Sequence, residues 1–130
     1  MIDWSQIETA ENKAAKAHQE LLAKLAQKRW ELETAGIVVG GVTYQTDDRS
    51  KLLILGAAVE AMIDSTIGAQ WKVGTAGESL SSSDVIKVAR AIRDYTQACF
   101  TRELEILKCI EDGTFSESMI EEEWPNNVYP

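Results

Sequence analysis

Histidine and cysteine are scarce in this chain: one histidine and two cysteines in 130 residues. His18 lies far in sequence from Cys99 and Cys109, so neither a zinc cage nor a Cys–His nucleophile assembles from these three. The two cysteines fall on one predicted helix, ten residues apart, a rise of about 15 Å. A disulfide tolerates only about 4.4–6.8 Å between Cα atoms, so two buried free thiols are expected instead. No apolar run approaches the ~18 residues that cross a bilayer, and no membrane association is expected. The opening Met1-Ile2-Asp3-Trp4 is acidic and aromatic rather than basic, unlike a secretory leader, so cytoplasmic synthesis is the expectation. Basic residues are missing from the end of the chain. Of the net charge of -8, six acids lie between Glu111 and Pro130, with no Lys or Arg. An acidic chain repels phosphate backbones, which argues against a nucleic-acid partner. No catalytic constellation, metal set or cofactor loop stands out, so neither an enzyme nor a cofactor is expected.

What is present is richest between Gly36 and Ser50. Two short β-branched runs, Ile37-Val38-Val39 and Val42-Thr43-Tyr44, flank Gly40-Gly41. A two-residue hairpin loop needs positive φ at its centre, which glycine adopts without steric cost. A phosphate cradle would need a helix N-terminus directly after the glycines, and a strand follows instead. Gly36 ends the preceding helix as a left-handed cap, placing Ile37 against Leu32. Thr46 or Asp47 caps the next one.

The first helix is expected from Trp4 to Thr34, with Asp3 as N-cap, Gln6 three residues on, and Ile2 and Ile7 as a staple. Its apolar residues recur at Trp4, Ile7, Ala14, Leu21, Leu25 and Leu32, close to a heptad, with Glu11, His18 and Lys28 interrupting. About thirty residues of helix is long for a domain of this size. It is either an arm that pairs with a second copy or a partner, which the weak seam favours, or a helix lying across its own domain. His18 reads as a tolerated residue on that seam.

The second helix runs to about Asp64. Leu52, Leu53, Ile54 and Leu55 are consecutive, and Val59, Met62 and Ile63 continue the stripe. Such breadth implies burial on several sides, making this the expected core helix with Leu53 inside it. A second hairpin follows, Ala69–Val73 and Glu78–Leu80 across Gly74-Thr75-Ala76-Gly77, with Trp71, Val73 and Leu80 on one face and Trp71 in the core. Ser81 with Asp84 opens the last helix, Leu80 and Val85 staple it, and Gly113 stops it. Its stripe is Val85, Val88 or Ala89, Ile92, Tyr95 or Thr96, Cys99, Ile106 or Leu107, and Ile110. Glu103 alone breaks that seam. In the tail, Thr114 and Glu117 form a further capping box for a short helix to about Glu123, and Trp124-Pro125 cannot continue it.

Gly36 to Ser50 closely resembles the matching run in phage tail proteins that share a domain of unknown function, the DUF4376 family. Gln70-Trp71-Lys72 resembles that family's tryptophan–lysine strand. Gln97-Ala98-Cys99-Phe100-Thr101-Arg102-Glu103 resembles the core of its last helix. The resemblance spans roughly residues 28 to 112. It brings no catalytic residues with it, since the family has none established.

These readings define an α+β class: a long N-terminal helix, two β-hairpins forming one small antiparallel sheet, two further helices and a C-terminal tail. Residues 1–35 form the helical arm, 36–113 the α+β core and 114–130 the acidic, aromatic tail. In that tail, Phe115, Met119, Ile120, Trp124 and Tyr129 alternate with acids, as in a docking peptide. Folding of the tail onto its own domain is the competing arrangement. The resemblance implies a phage tail accessory protein that acts by binding, foremost a chaperone for tail-fibre assembly. The alternative is a permanent component of the virion fibre or baseplate. Its expected partners are the tail-fibre protein and a second copy of itself, paired through the long helices. It would work in the host cytoplasm during assembly, or in the virion tail.

Overall fold

The computed structural model describes residues 9–130. Three helices and five strands follow in the order α1 (Ala10–Glu33), β1 (Ile37–Val39), β2 (Val42–Tyr44), α2 (Asp48–Ile63), β3 (Ala69–Val73), β4 (Ala76–Leu80), α3 (Ser82–Asp112) and β5 (Val128–Tyr129). A short 3₁₀ turn, Glu117–Glu121, lies between α3 and β5. The α+β class is the one expected from the sequence.

Local chemistry explains most boundaries. Thr9 caps α1 by accepting the Asn12 N–H at 3.1 Å, so the helix opens later than Trp4. The expected cap and staple at Ile2, Asp3, Gln6 and Ile7 lie outside the described residues. Asp47 caps α2 and Ser81 caps α3, each through its side chain. Thr46, the other candidate cap, is fully buried and accepts the Gly36 N–H at 2.9 Å, tying the end of α1 to the start of α2. Gly40 and Gly41 have φ of 58° and 80°, which makes the tight primed turn between β1 and β2. Val39 pairs with Val42 and Ile37 with Tyr44.

The sheet arrangement differs from expectation. The two hairpins do not join. β3 and β4 form their own two-stranded sheet, while the first sheet has the order β2-β1-β5. The free edge of β1 is taken by the tail, with Val38 beside Val128 and Val39 beside Tyr129 in parallel register. The Val38 N–H donates to the Asn127 carbonyl at 2.8 Å and the Gly40 N–H to that of Tyr129 at 3.1 Å. An edge strand offers unpaired N–H and C=O groups, and the chain's own C-terminal segment satisfies them.

The core sits between α3, the inner face of α2 and the first hairpin. Val85, Val88, Ile92, Tyr95 and Cys99 of α3 meet Ile54, Ala58 and Ala61 of α2, with Ile37, Val39 and Tyr44 from the hairpin. α1 runs antiparallel to the second half of α3: Arg29 reaches Glu103, and three residues further along α1 the Leu32 carbonyl accepts from Tyr95 Oη at 2.9 Å. Only the second half of α1 is packed in this way, with Leu25 and Glu33 buried. Residues 9–20 are all exposed. The second half of the first helix therefore lies across its own domain, while its first half is uncovered by the chain.

Candidate interaction surface

Four charged groups knit the three helices together below this surface. Glu33 accepts Arg29 Nη1 at 2.8 Å on one oxygen and Lys51 Nζ at 3.0 Å on the other. Arg29 Nε reaches Glu103 at 3.2 Å, and its guanidinium lies 4.4 Å from the centre of the Phe100 ring. Burial works against the Arg29 charge, but the hydrogen bonds to Glu33 and Glu103 outweigh it and raise its pKa. Glu103 interrupts an apolar seam because it is the partner of a cation on the facing helix. The Phe100 ring adds a cation–π contact to the same guanidinium.

The network fixes α2 by its inner and lower face and leaves the opposite face bare. Leu52, Leu53, Leu55, Val59, Met62 and Ile63 are all at least 48% exposed, and Ile67 just beyond the helix is 42% exposed. The broad apolarity of this helix therefore does not mean burial on all sides. Its small residues Ala58 and Ala61 pack inward with Ile54, while the larger ones face out. Leu53, expected in the core, is half exposed. Trp71, expected beside it, is partly buried against the core from β3. Between them lies an open cleft of about 390 Å³, lined by Gln45, Ser50, Leu53, Gln70, Trp71, Lys72 and Gly74.

The tail is placed differently from a free docking peptide. Arg102 on α3 holds it, donating from Nε to the Glu122 carbonyl at 3.0 Å and from Nη2 to the Met119 carbonyl at 3.1 Å. Ile120 is 1% exposed. Trp124 donates its indole N–H to the Ile120 carbonyl at 2.7 Å. Phe115, Met119, Trp124 and Tyr129 are each partly buried, and Tyr129 packs against the main core from β5. Of the five side chains expected to recognise a partner, Ile120 is covered by the chain itself and the other four keep only part of their surface. The acids help to dock the tail: Lys24 reaches Glu117 at 3.4 Å and Lys28 reaches Glu121 at 2.8 Å. The expected capping box does not form. Thr114 Oγ1 donates to the Cys109 carbonyl at 3.4 Å, and the 3₁₀ turn starts without a side-chain cap.

The thiols are both free. Burial raises the pKa of Cys99, which keeps it protonated rather than poised as a nucleophile. Tyr95 is raised as well, first by burial and then by the neighbouring Cys99. Among the described residues, no group of three or more His, Cys, Asp or Glu side chains stands close enough to hold a metal ion. No described helix is long and apolar enough to cross a membrane.

Fold and surface together define a small α+β domain with a bare apolar area on the outer face of α2. The family model for a domain of unknown function, DUF4376, matches residues 14–123, and the chain belongs to that family. The match runs from within α1 to the 3₁₀ turn, across both boundaries drawn between arm, core and tail. No curated protein and no solved structure matches the chain.

Proposed function

We propose that this protein is a phage tail accessory factor that acts by binding another protein, foremost as a chaperone for tail-fibre assembly. The observation that carries the reading is the bare face of α2. Six large apolar side chains there face away from the chain's own core, with Ile67 just beyond the helix. A monomeric protein rarely leaves more than a few hundred Å² of contiguous apolar surface uncovered unless that surface meets something. An unfinished fibre segment, apolar until it trimerises, is a chemically matched guest. The phage tail context rests on the resemblance of residues 36–50, 70–72 and 97–103 to such proteins.

Co-expression with the tail-fibre protein tests it. The chaperone reading expects a higher yield of soluble, trimeric fibre, an effect lost with Leu55→Glu on the bare face. An unchanged yield argues against it. Protein composition of purified virions separates the alternative: a permanent fibre or baseplate component stays in the particle, and a chaperone does not.

A further inference from the structure

We propose that the cavity between the two hairpins and the start of α3 is a binding site for a guanidinium group. It shares no lining residue with α2, so it stands or falls separately from the α2 face.

The cavity exists because the hairpins do not join. β2 is the outer strand of the first sheet, and β4 belongs to the second. Between them and the first turns of α3 lies a space of about 200 Å³. Val39, Val42, Leu80 and Val88 form its apolar walls. Three polar residues from three different elements line it as well: Tyr44 from β2, Glu78 from β4 and Asp84 from the first turn of α3.

Tyr44 marks the cavity as more than a packing gap. The residue is 4% exposed, and a phenol so deeply placed ordinarily has a hydrogen-bond partner. Its hydroxyl has none among the described residues, and it opens on this cavity rather than being sealed in. Burial raises the pKa of Tyr44, and the charges of Glu78 and Asp84 raise it further, so the phenol stays protonated within electrostatic reach of both carboxylates. Glu78 is partly buried, and neither it nor Asp84 forms an ion pair among the described residues.

These groups select the guest. Two carboxylates and a phenol oxygen offer lone pairs and negative charge, so the guest must bring N–H donors and positive charge. A metal ion is a poorer guest, since no group of three or more His, Cys, Asp or Glu among the described residues can hold one. A guanidinium suits the site better than an ammonium. Its planar fork presents five donors to acceptors on separate elements, and its weaker hydration lets it enter a space with apolar walls. The net charge of -8 draws cations toward the chain. Lys87 is the competitor. It lines the same cavity one turn beyond Asp84 and forms no ion pair among the described residues, so its ammonium opposes a cationic guest.

A guanidinium arrives either on an arginine of a partner protein or as a free guanidino compound. Nuclear magnetic resonance titration of the full chain tests the site and separates the two sources. The probes are N-acetyl-arginine methylamide, its neutral isostere N-acetyl-citrulline methylamide, and ethylguanidinium. The arginine amide is expected to shift the backbone signals of Tyr44, Glu78 and Asp84 saturably, and the citrulline amide is not. Tighter binding of the arginine amide than of ethylguanidinium supports a protein arginine as the guest, and equal binding supports a free compound. Glu78→Gln and Asp84→Asn should each weaken binding by at least about tenfold, the worth of a charge-assisted hydrogen bond. Tyr44→Phe should weaken it roughly threefold yet melt like wild type, because the lost hydroxyl holds nothing in the fold. Lys87→Gln should tighten it. Citrulline amide that binds as well as arginine amide overturns the proposal, as does a folded Tyr44→Phe that binds as wild type. Weaker binding by Lys87→Gln would make the guest an anion and overturns it too. Shifts centred on the acids of residues 117–123 would show general attraction of cations and no site. Should the Glu78 or Asp84 variant fail to fold, the citrulline comparison and Lys87→Gln still decide.

Discussion

At the scale of single residues, two hydrophobic side chains that look alike in sequence do opposite things. Ile120 sits in an acidic tail with no helical stripe around it, yet it is 1% exposed. Leu53 sits in the most apolar run of the chain, yet half of it faces solvent. Ile120→Ala should therefore destabilise by about 2–5 kcal/mol, the range for emptying a buried aliphatic site. Leu53→Ala should cost less than about 1 kcal/mol, nearer the behaviour of surface positions. Denaturant unfolding of the two variants at a concentration where the chain is monomeric checks the contrast. Equal losses would return Leu53 to the core.

The charged junction makes a second residue-scale prediction. Removing Arg29 leaves Glu33, whose side chain is 7% exposed, with Lys51 alone, and leaves Glu103 with no cation in contact. Stranding carboxylates in a partly dry site costs about 3 kcal/mol or more. Arg29→Ala should lose that much in chemical unfolding, and Arg29→Ala with Glu103→Leu should recover part of it. A double variant no more stable than the single one would show that Glu103 is solvated well enough without its partner.

At the scale of elements, the tail is the decisive case. Segment 114–130 contributes a strand to the first sheet, a buried isoleucine and two backbone carbonyls to Arg102. Deleting it would reopen the edge of β1 and leave the buried Arg102 guanidinium without its carbonyl partners. The truncated chain should melt well below wild type or aggregate, and thermal scans with light scattering read both. A truncation that melts like wild type would mean that the tail is only loosely attached. The same element shows where the sequence was legible. The helix stop at Gly113, the caps at Asp47 and Ser81 and the hairpin at Gly40-Gly41 follow from local rules, and each formed as expected; at the end of α1 the cap is Thr34, and Gly36 donates its N–H to Thr46 instead. The parallel pairing of β5 with β1 depends on residues ninety positions apart, joined by two strand residues too few to show an alternating pattern. Which face of α2 is buried was equally hidden. That choice is made by the alanines 58 and 61, which let α3 approach closely, and not by the larger residues that dominate the hydrophobic pattern.

At the scale of the whole molecule, stability against pH follows from groups spread over every element. Asp47 and Asp64 have lowered pKa values, first through hydrogen bonds from the Ser50 and Thr66 side chains, and Glu121 through the hydrogen bond and charge of Lys28. A carboxylate with a lowered folded-state pKa stabilises the fold above its unfolded value. That contribution is lost as pH falls through the ordinary carboxylate range near about 4 and below it. Cys99, Tyr44, Tyr95 and Tyr129 have raised values, in each case first through burial. Their contribution is fully present below the unfolded values of about 8.5 for cysteine and about 10 for tyrosine, and is lost as pH rises beyond them. The melting temperature should therefore be nearly flat between about pH 5 and 8, fall on the acid side, and fall again from about pH 8.5 upward. Cys99 opens the alkaline limb, because its unfolded value is the lowest of the four. Cys99→Ala should lower the plateau by leaving a small void, yet move the start of the alkaline fall toward the tyrosine range. Thermal melts of both chains across this pH span check the shape. An alkaline limb that starts at the same pH in both would show that the thiol takes no part, and a melting temperature that climbs above pH 9 would contradict the burial of all four groups.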